Sequence, residues 1–165
     1  MADITQGTWI KDGKAVDAVY QGGVKVYGRN LLTGTSGDLQ TKQFTNSWNS
    51  GSQSTNGNYE IKLVKGQTYT YRAWLDNTNG LNSVFVAARF TPIGGSNYNL
   101  GNGTHISQGE TGYSTLSITL SADGYVLLIP FAYGSPQTYS AIWKEEKLET
   151  GNPTPYSPAP EDILN

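Results

Sequence analysis

The sequence predicts an all-β protein, and three observations lead to this fold class. Charged residues make up only 15% of the chain, whereas an average globular domain has roughly 25%. Aromatic residues reach 12%, and short alternating apolar and polar runs are separated by clusters of Gly, Asn and Ser without a helical period. The length of 165 residues is that of one domain. We therefore expect a β-sandwich or jelly roll.

Residues 1–28 predict a small β-hairpin unit ahead of the main domain. Gln21-Gly22-Gly23 separates two β-like runs, at 15–20 and 24–27, and glycine permits the positive φ that tight hairpin turns need. A second turn is predicted at 11–14. Because a fragment of this size does not fold alone, we expect it to attach to the main domain or to a partner.

Residues 29–150 form the predicted main domain. The segment Trp143-Lys-Glu-Glu-Lys-Leu-Glu149 is the one helix candidate, and we favour a strand there. The segments 46–58 and 92–112 lack a regular pattern, and loops of this length are usually functional or mobile. The sequence leaves open whether either contacts a ligand. The strand-like runs lie at 39–46, 58–64, 68–76, 83–92, 114–121, 125–133 and 138–148.

The last segment, 151–165, contains four prolines and predicts an extended linker or an arm that follows the surface.

The composition excludes several classes of function. The chain has no cysteine and one histidine, which removes disulfides, thiolate metal sites and zinc motifs with two imidazoles. A net charge of −2 offers no basic surface for nucleic acid. The longest nearly apolar run, 125–133, is too short to span a membrane. No secretory signal is visible, so we expect synthesis in a bacterial cytoplasm and neither nucleic-acid nor membrane partners.

Strand alternation predicts a binding surface. In the run 68–76, Tyr69, Tyr71, Ala73 and Leu75 share the face expected in the core, which turns Arg72 and Trp74 outward. In the run 83–90, Arg89 also points away from the core. An indole stacks on the C–H patches of a pyranose, and guanidinium groups bond its hydroxyls. We expect Trp74, Arg72 and Arg89 to form one shelf for a sugar.

The alternative is that residues 1–28 or a loop cover Trp74, while Arg72 pairs with a carboxylate.

Three further residues complete the set of candidates. Trp48, in the segment 46–58, is either a loop anchor or a binding-loop aromatic. Tyr98 and His105 lie in the segment 92–112, and a lone histidine is usually structural or solvated. The predicted carbohydrate-binding residues are Trp74, Arg72, Arg89, Trp48, Tyr98 and His105.

Catalytic signatures are absent from the sequence. It contains no HExxH, no GxSxG and no P-loop, and nothing singles out the pair of facing carboxylates that a glycosidase needs. We therefore expect a non-enzymatic protein without a cofactor. No DxDxDG calcium loop occurs, so the sequence does not identify any metal-binding residues.

Two stretches resemble a known family. Tyr27-Gly28-Arg29-Asn30-Leu31-Leu32, followed by a Gly/Ser-rich run, is similar to the opening of carbohydrate-binding modules in tail and baseplate proteins of phages that infect lactic acid bacteria. Residues 147–162 (KLETGNPTPYSPAPED) resemble the ending of those modules, and 69–74 (YTYRAW) resembles their core strand. The similarity covers most of 29–162, and residues 1–28 resemble the start of small structural proteins of such phages.

The resemblance implies a jelly-roll β-sandwich of two antiparallel sheets. It also implies a virion protein of the phage tail or baseplate that binds polysaccharide on a Gram-positive host wall, aids adhesion and contacts other tail or baseplate proteins. Some members of the family keep a structural calcium ion, for which this sequence offers only generic oxygen donors. The family does not fix its binding residues, so the saccharide, the host and the oligomeric state stay open.

Two other functions stay open besides saccharide binding. The first is a purely structural tail or baseplate decoration or spacer domain that binds no sugar. The second is a wall-degrading enzyme.

Overall fold

The computed structural model of the protein describes residues 2–45, 61–80, 82–132 and 138–164. These residues form antiparallel strands and one short helix, which confirms the predicted all-β fold class. The elements are β1 (Ala2–Thr5), β2 (Thr8–Lys11), β3 (Lys14–Ala15), β4 (Ala18–Gln21), β5 (Val24–Gly28), β6 (Gln40–Thr45), β7 (Ile61–Leu63), β8 (Thr68–Asp76), β9 (Val84–Pro92), β10 (Tyr98–Asn102), β11 (Thr111–Thr119), β12 (Gly124–Ala132), β13 (Thr138–Thr150) and α1 (Pro160–Leu164).

Two four-stranded antiparallel sheets form the sandwich. The front sheet has the strand order β11-β8-β13-β6, and the back sheet has the order β10-β9-β12-β7. Their inner faces enclose an apolar core because alternate residues of each strand turn inward. Tyr71 and Leu75 of the front sheet and Phe90 and Leu128 of the back sheet are almost fully buried. The sandwich is therefore established, while its jelly-roll connectivity stays a prediction.

The prediction of a patternless loop at 92–112 is wrong. This segment contains β10, which pairs with β9, and Ile106 forms a bridge to Val84. Gly103 donates its N–H to the Val86 carbonyl at 2.7 Å, and a Cβ at Gly103 would lie 2.7 Å from Cγ2 of Val86. Because Gly103 has no side chain, the chain around it can lie directly against β9.

The N-terminal unit consists of two small sheets, β1-β2-β3 and β4-β5. The predicted turns at 11–14 and 21–23 are both confirmed. Asp12 and Gly13, and likewise Gly22 and Gly23, have positive φ, as hairpin turns that match the strand twist require. The unit packs on the main domain's C-terminal arm, where Thr8 Oγ1 donates to the Pro158 carbonyl at 2.6 Å.

The segment after β13 is an arm that follows the protein surface. Thr154, Ser157 and Ala159 within it are buried, and Arg29 forms an ion pair with Glu161 of α1. Of the two predicted alternatives, a linker and an arm on the surface, the structure has the second.

A buried amide joins three separate parts of the chain. Asn30 Nδ2 donates to the carbonyls of Glu146 at 3.0 Å and Ser157 at 3.1 Å. Its Oδ1 accepts the N–H groups of Leu32 and Leu148, both at 3.1 Å. The start of the main domain, β13 and the arm are thus held by one fully buried side chain. A buried polar group is stable only when such bonds are made.

Charged groups under the arm form a second network. Lys147 Nζ donates to Thr154 Oγ1 at 2.9 Å and to the Pro155 carbonyl at 2.8 Å. Glu149 lies 3.9 Å from Lys147 and 3.0 Å from Lys25 of β5. Burial lowers the pKa of Lys147 to about 8, although Glu149 acts in the opposite direction.

The arm and the N-terminal unit cover one half of the front sheet's outer face. Lys147 pairs with Arg72 in the sheet register, and Glu149 pairs with Thr70. Lys147, Glu149 and Thr70 are buried, but Arg72 and Trp74, two residues further along β8, remain partly exposed. The cover therefore ends at Lys147 of β13. The part of the outer face that carries Arg72 and Trp74 is left open.

Replacing Asn30 should strongly destabilise the protein. Asn30→Leu removes five hydrogen bonds, and the buried Leu148 N–H and Ser157 carbonyl both lose the amide as their partner. We expect a loss of at least about 3 kcal/mol in the free energy of unfolding, measured by urea denaturation. Asn152→Leu, at an exposed position of the same arm, serves as the control and should change stability little. Equal effects of the two substitutions would contradict the role of Asn30.

The low pKa of Lys147 predicts a pH dependence of stability. Because the folded-state pKa is about 8 and the ordinary value is 10.5, the unfolded chain binds more protons between these values. Wild-type stability should therefore rise relative to Lys147→Met, by about 1 kcal/mol from pH 7 to pH 9. Urea denaturation at both pH values measures this difference. The exposed Lys65→Met should show no such change, and a Lys147 difference that is constant with pH would refute the account.

Candidate functional site

The open half of the front sheet carries a cluster of aromatic and charged side chains, which we call the shelf: Arg72, Trp74, Tyr113, Lys144 and Glu145. Trp74 on β8 is paired with Tyr113 on β11 and with Lys144 on β13. Three adjacent strands span about 10 Å, since neighbouring strands lie about 4.8 Å apart. The shelf is therefore a surface of fixed spacing, built on sheet backbone.

Each ring of the shelf has a cation over it. The Arg72 guanidinium carbon lies 3.8 Å from the ring centroid of Tyr113, and Lys144 Nζ lies 4.9 Å from the ring centroid of Trp74. Tyr113 is 40% exposed. Cation–π pairs at exposed sites are worth about 0.5–1 kcal/mol, so they orient these side chains without locking them.

A β-bulge places the carboxylate of the shelf. The register of β13 against β8 shifts between Lys144 and Lys147, and Glu145 has a φ of 55°. The bulge directs Glu145 outward, where it accepts a hydrogen bond from Tyr113 Oη. It directs Glu146 inward, where Tyr71 Oη donates to its carboxylate at 2.6 Å. Neighbouring carboxylates are thereby sent to opposite faces.

The Glu145 carboxylate also affects the Tyr113 phenol. Partial burial, together with the hydrogen bond to Glu145 and its negative charge, raises the pKa of Tyr113, while Arg72 acts in the opposite direction. The phenol therefore keeps its proton and remains the donor in this pair. Tyr113, Lys144 and Glu145 were not among the sequence-based candidates, because their relation to Trp74 depends on strand pairing and on the bulge.

Arg89 is not part of the shelf, and the predicted shelf of Trp74 with two arginines is wrong. β8 belongs to the front sheet and β9 to the back sheet. Arg72 and Arg89 both point away from the core, but they do so on opposite sides of the sandwich. Arg89 bonds the side chain of Asn97 instead.

The other candidates do not join the shelf either. Tyr98 lies on the edge strand β10 of the back sheet, where its ring packs edge-on against Phe90 with centroids 5.8 Å apart. His105 stacks on Phe85 at 4.4 Å, and its Nδ1 lies 3.2 Å from Ser83 Oγ. Both residues thus make packing contacts near β9. Trp48 lies outside the described residues.

Neither a metal cluster nor a membrane helix is found in the described ranges. No group of three or more His, Asp or Glu side chains that could hold a metal ion occurs among residues 2–45, 61–80, 82–132 and 138–164. In that same part of the chain, no helix is long and apolar enough to cross a membrane.

No protein-family model matches the chain, and no curated protein matches it. The resemblance to phage carbohydrate-binding modules therefore stays a prediction.

The positive φ at Glu145 predicts an unusual tolerance to glycine. A non-glycine residue in the left-handed region destabilises the folded state by about 1–2 kcal/mol. Glycine adopts this conformation without that penalty. Glu145→Gly should therefore not lower the thermal midpoint, even though the bond to Tyr113 is lost. Lys144→Gly, one residue earlier and without positive φ, should lower it because glycine weakens a strand. Similar losses in the two variants would contradict this reading of the bulge.

Proposed function

We propose that the shelf binds a saccharide. The observation that carries this proposal is the partly exposed Trp74, flanked in register by Tyr113 and Lys144, on the half of the front sheet that the arm leaves open. Aromatic rings supply flat apolar surfaces for the C–H faces of a pyranose. Arg72 and Lys144 supply donors, and Glu145 supplies an acceptor, for hydroxyl groups.

The free energies of the two kinds of contact favour a sugar over the cations that lie on the rings. Stacking of a base on an aromatic side chain is worth roughly 1–3 kcal/mol, and we take a similar value for a sugar. The cation–π contact that a sugar would displace from Trp74 is worth about 0.5–1 kcal/mol. Lys144 sits on a flexible four-carbon stem, so its ammonium can move to the rim and bond a hydroxyl there.

The biological role that we propose follows from the resemblance and from this chemistry. The protein is a non-catalytic carbohydrate-binding protein of the virion, part of a phage tail or baseplate, that recognises host cell-wall polysaccharide and aids adhesion. A shelf with two rings gives an affinity in the micromolar to millimolar range. Many copies on one particle raise the effective concentration and make adhesion stable.

Attachment to other tail or baseplate proteins is assigned in this proposal to the N-terminal unit. Three large apolar side chains of this unit are exposed: Ile4 at 57%, and Tyr20 and Val24 at 64% each. Since the unit packs on the arm and leaves the shelf uncovered, attachment there is compatible with sugar binding.

Loss of the indole should abolish binding without unfolding the protein. We expect Trp74→Ala to lose retention on immobilised cell-wall polysaccharide from a lactic acid bacterium, because the main stacking surface is removed. The thermal midpoint should fall by only a few degrees, about 1 kcal/mol for a domain of this size. Tyr125→Ala removes a more exposed aromatic, accessible at 36%, from the back sheet, and it should keep wild-type retention.

Gel filtration and an assay for reducing ends, run beside the retention experiment, separate the alternative functions. A wild-type protein that ignores every wall fraction and forms an obligate oligomer in gel filtration would support the purely structural spacer. Release of new reducing ends from the wall, above that of a Glu145→Gln variant, would support an enzyme. Retained binding in Trp74→Ala would contradict the site.

A further inference from the structure

A groove adjoins the shelf on the side of the arm. It has a volume of about 310 Å³ and lies between the loop 35–38, Gln6 and the arm residues Tyr156 and Pro158. Ligand sites start at about this size. Its walls combine one aromatic ring with the hydroxyls of Thr35 and Ser36, an amide and the Asp38 carboxylate, which are the groups that hydrogen-bond or stack on a sugar.

Glu145 connects the groove with the shelf. Its N–H donates to the Ser36 carbonyl at 2.7 Å, so the bulge fixes the wall of the groove. The carboxylate of the same residue accepts a hydrogen bond from Tyr113 on the shelf. Glu145 thus contacts both Tyr113 of the shelf and Ser36 of the groove lining, which places the two surfaces next to each other.

The groove wall is fixed before any ligand binds. Gly34 donates its N–H to the Asp162 carboxylate at 2.9 Å, and the Asp38 N–H bonds Ser36 Oγ at 2.9 Å. Thr35 Oγ1 lies 3.2 Å from Tyr156 Oη. Binding therefore does not require ordering of this loop, which lowers the entropic cost of association.

We propose that this groove is a second sugar subsite, which holds a neutral sugar unit adjacent to the unit on the shelf. The protein then reads at least two consecutive units of a polysaccharide. This inference rests on the proposed function, because the groove extends the same binding surface. Tyr156 offers the stacking ring, and Gln6 and Asp38 bond the hydroxyls.

The charges around the groove favour a neutral unit over a phosphorylated one. Asp38 lines the groove, and burial together with the nearby carboxylates of Asp162, Glu145 and Glu146 raises the pKa of Tyr156. The Lys147 ammonium under the arm is engaged by the Pro155 carbonyl and Thr154. None of the residues that line the groove is cationic and one is a carboxylate, so a phosphate there would be repelled.

Filling the groove tests the proposal. Gly37 does not have positive φ, and a Cβ added there would lie 3.8 Å from Tyr156 Cε1, which is ordinary contact. Gly37→Phe therefore occupies the groove without backbone strain. Thr33→Phe adds the same side chain at an exposed position of the same loop, outside the groove lining, and is the matched control.

The probe is a series of oligosaccharides of one to six units, prepared from the wall polysaccharide of a lactic acid bacterium and titrated by calorimetry. Wild type and Thr33→Phe should gain about tenfold in affinity with fragment length. Gly37→Phe should lose this gain, so that its affinity for long fragments falls to that for short ones.

Two outcomes overturn the inference in different ways. An unchanged length dependence in Gly37→Phe removes the second subsite and leaves the shelf proposal intact, provided that Trp74→Ala loses binding to all fragments. No binding of any fragment by the wild-type protein removes the proposed function and the subsite with it.

Discussion

The position of the C-terminal arm depends on the buried amide of Asn30. This side chain bonds the backbone of β13, of the arm and of its own segment, and a buried amide must make such bonds to be stable. These bonds therefore fix the arm in one position on the front sheet. That place covers Lys147 and Glu149 and stops short of Trp74, so a structural bond determines where the open surface begins.

The part of the fold that depends on local patterns was predictable from the sequence. Period-two alternation in 68–76 identified β8 and the outward direction of Arg72 and Trp74, and glycine-containing turns identified the β4-β5 hairpin. Alternation defines inside and outside for one strand, but not the sheet to which the strand belongs. Arg89 was therefore placed with Trp74, whereas strand pairing separates them by the thickness of the sandwich.

Irregular features were beyond sequence reasoning for a related reason. The bulge at Glu145 changes the face of the sheet to which the following residues of β13 point. The residue type at this position does not predict a left-handed backbone. Tyr113 joins the site only because β11 pairs with β8 in one register. Gly103 marks a close backbone approach to Val86, but the sequence offers many glycines and does not say which one lies against another strand.

The packing of the N-terminal unit on the arm has a mechanical consequence. The unit reaches the sandwich through Thr8 on Pro158 and Lys25 on Glu149, contacts that lie beside the covered half of the front sheet. A tensile load that enters through the first strands is passed to the arm and to β13, the strand hydrogen-bonded to β8. Under the proposed function, the path of force between the attached N-terminal unit and a saccharide on Trp74 runs across neighbouring strands of the front sheet and bypasses the back sheet.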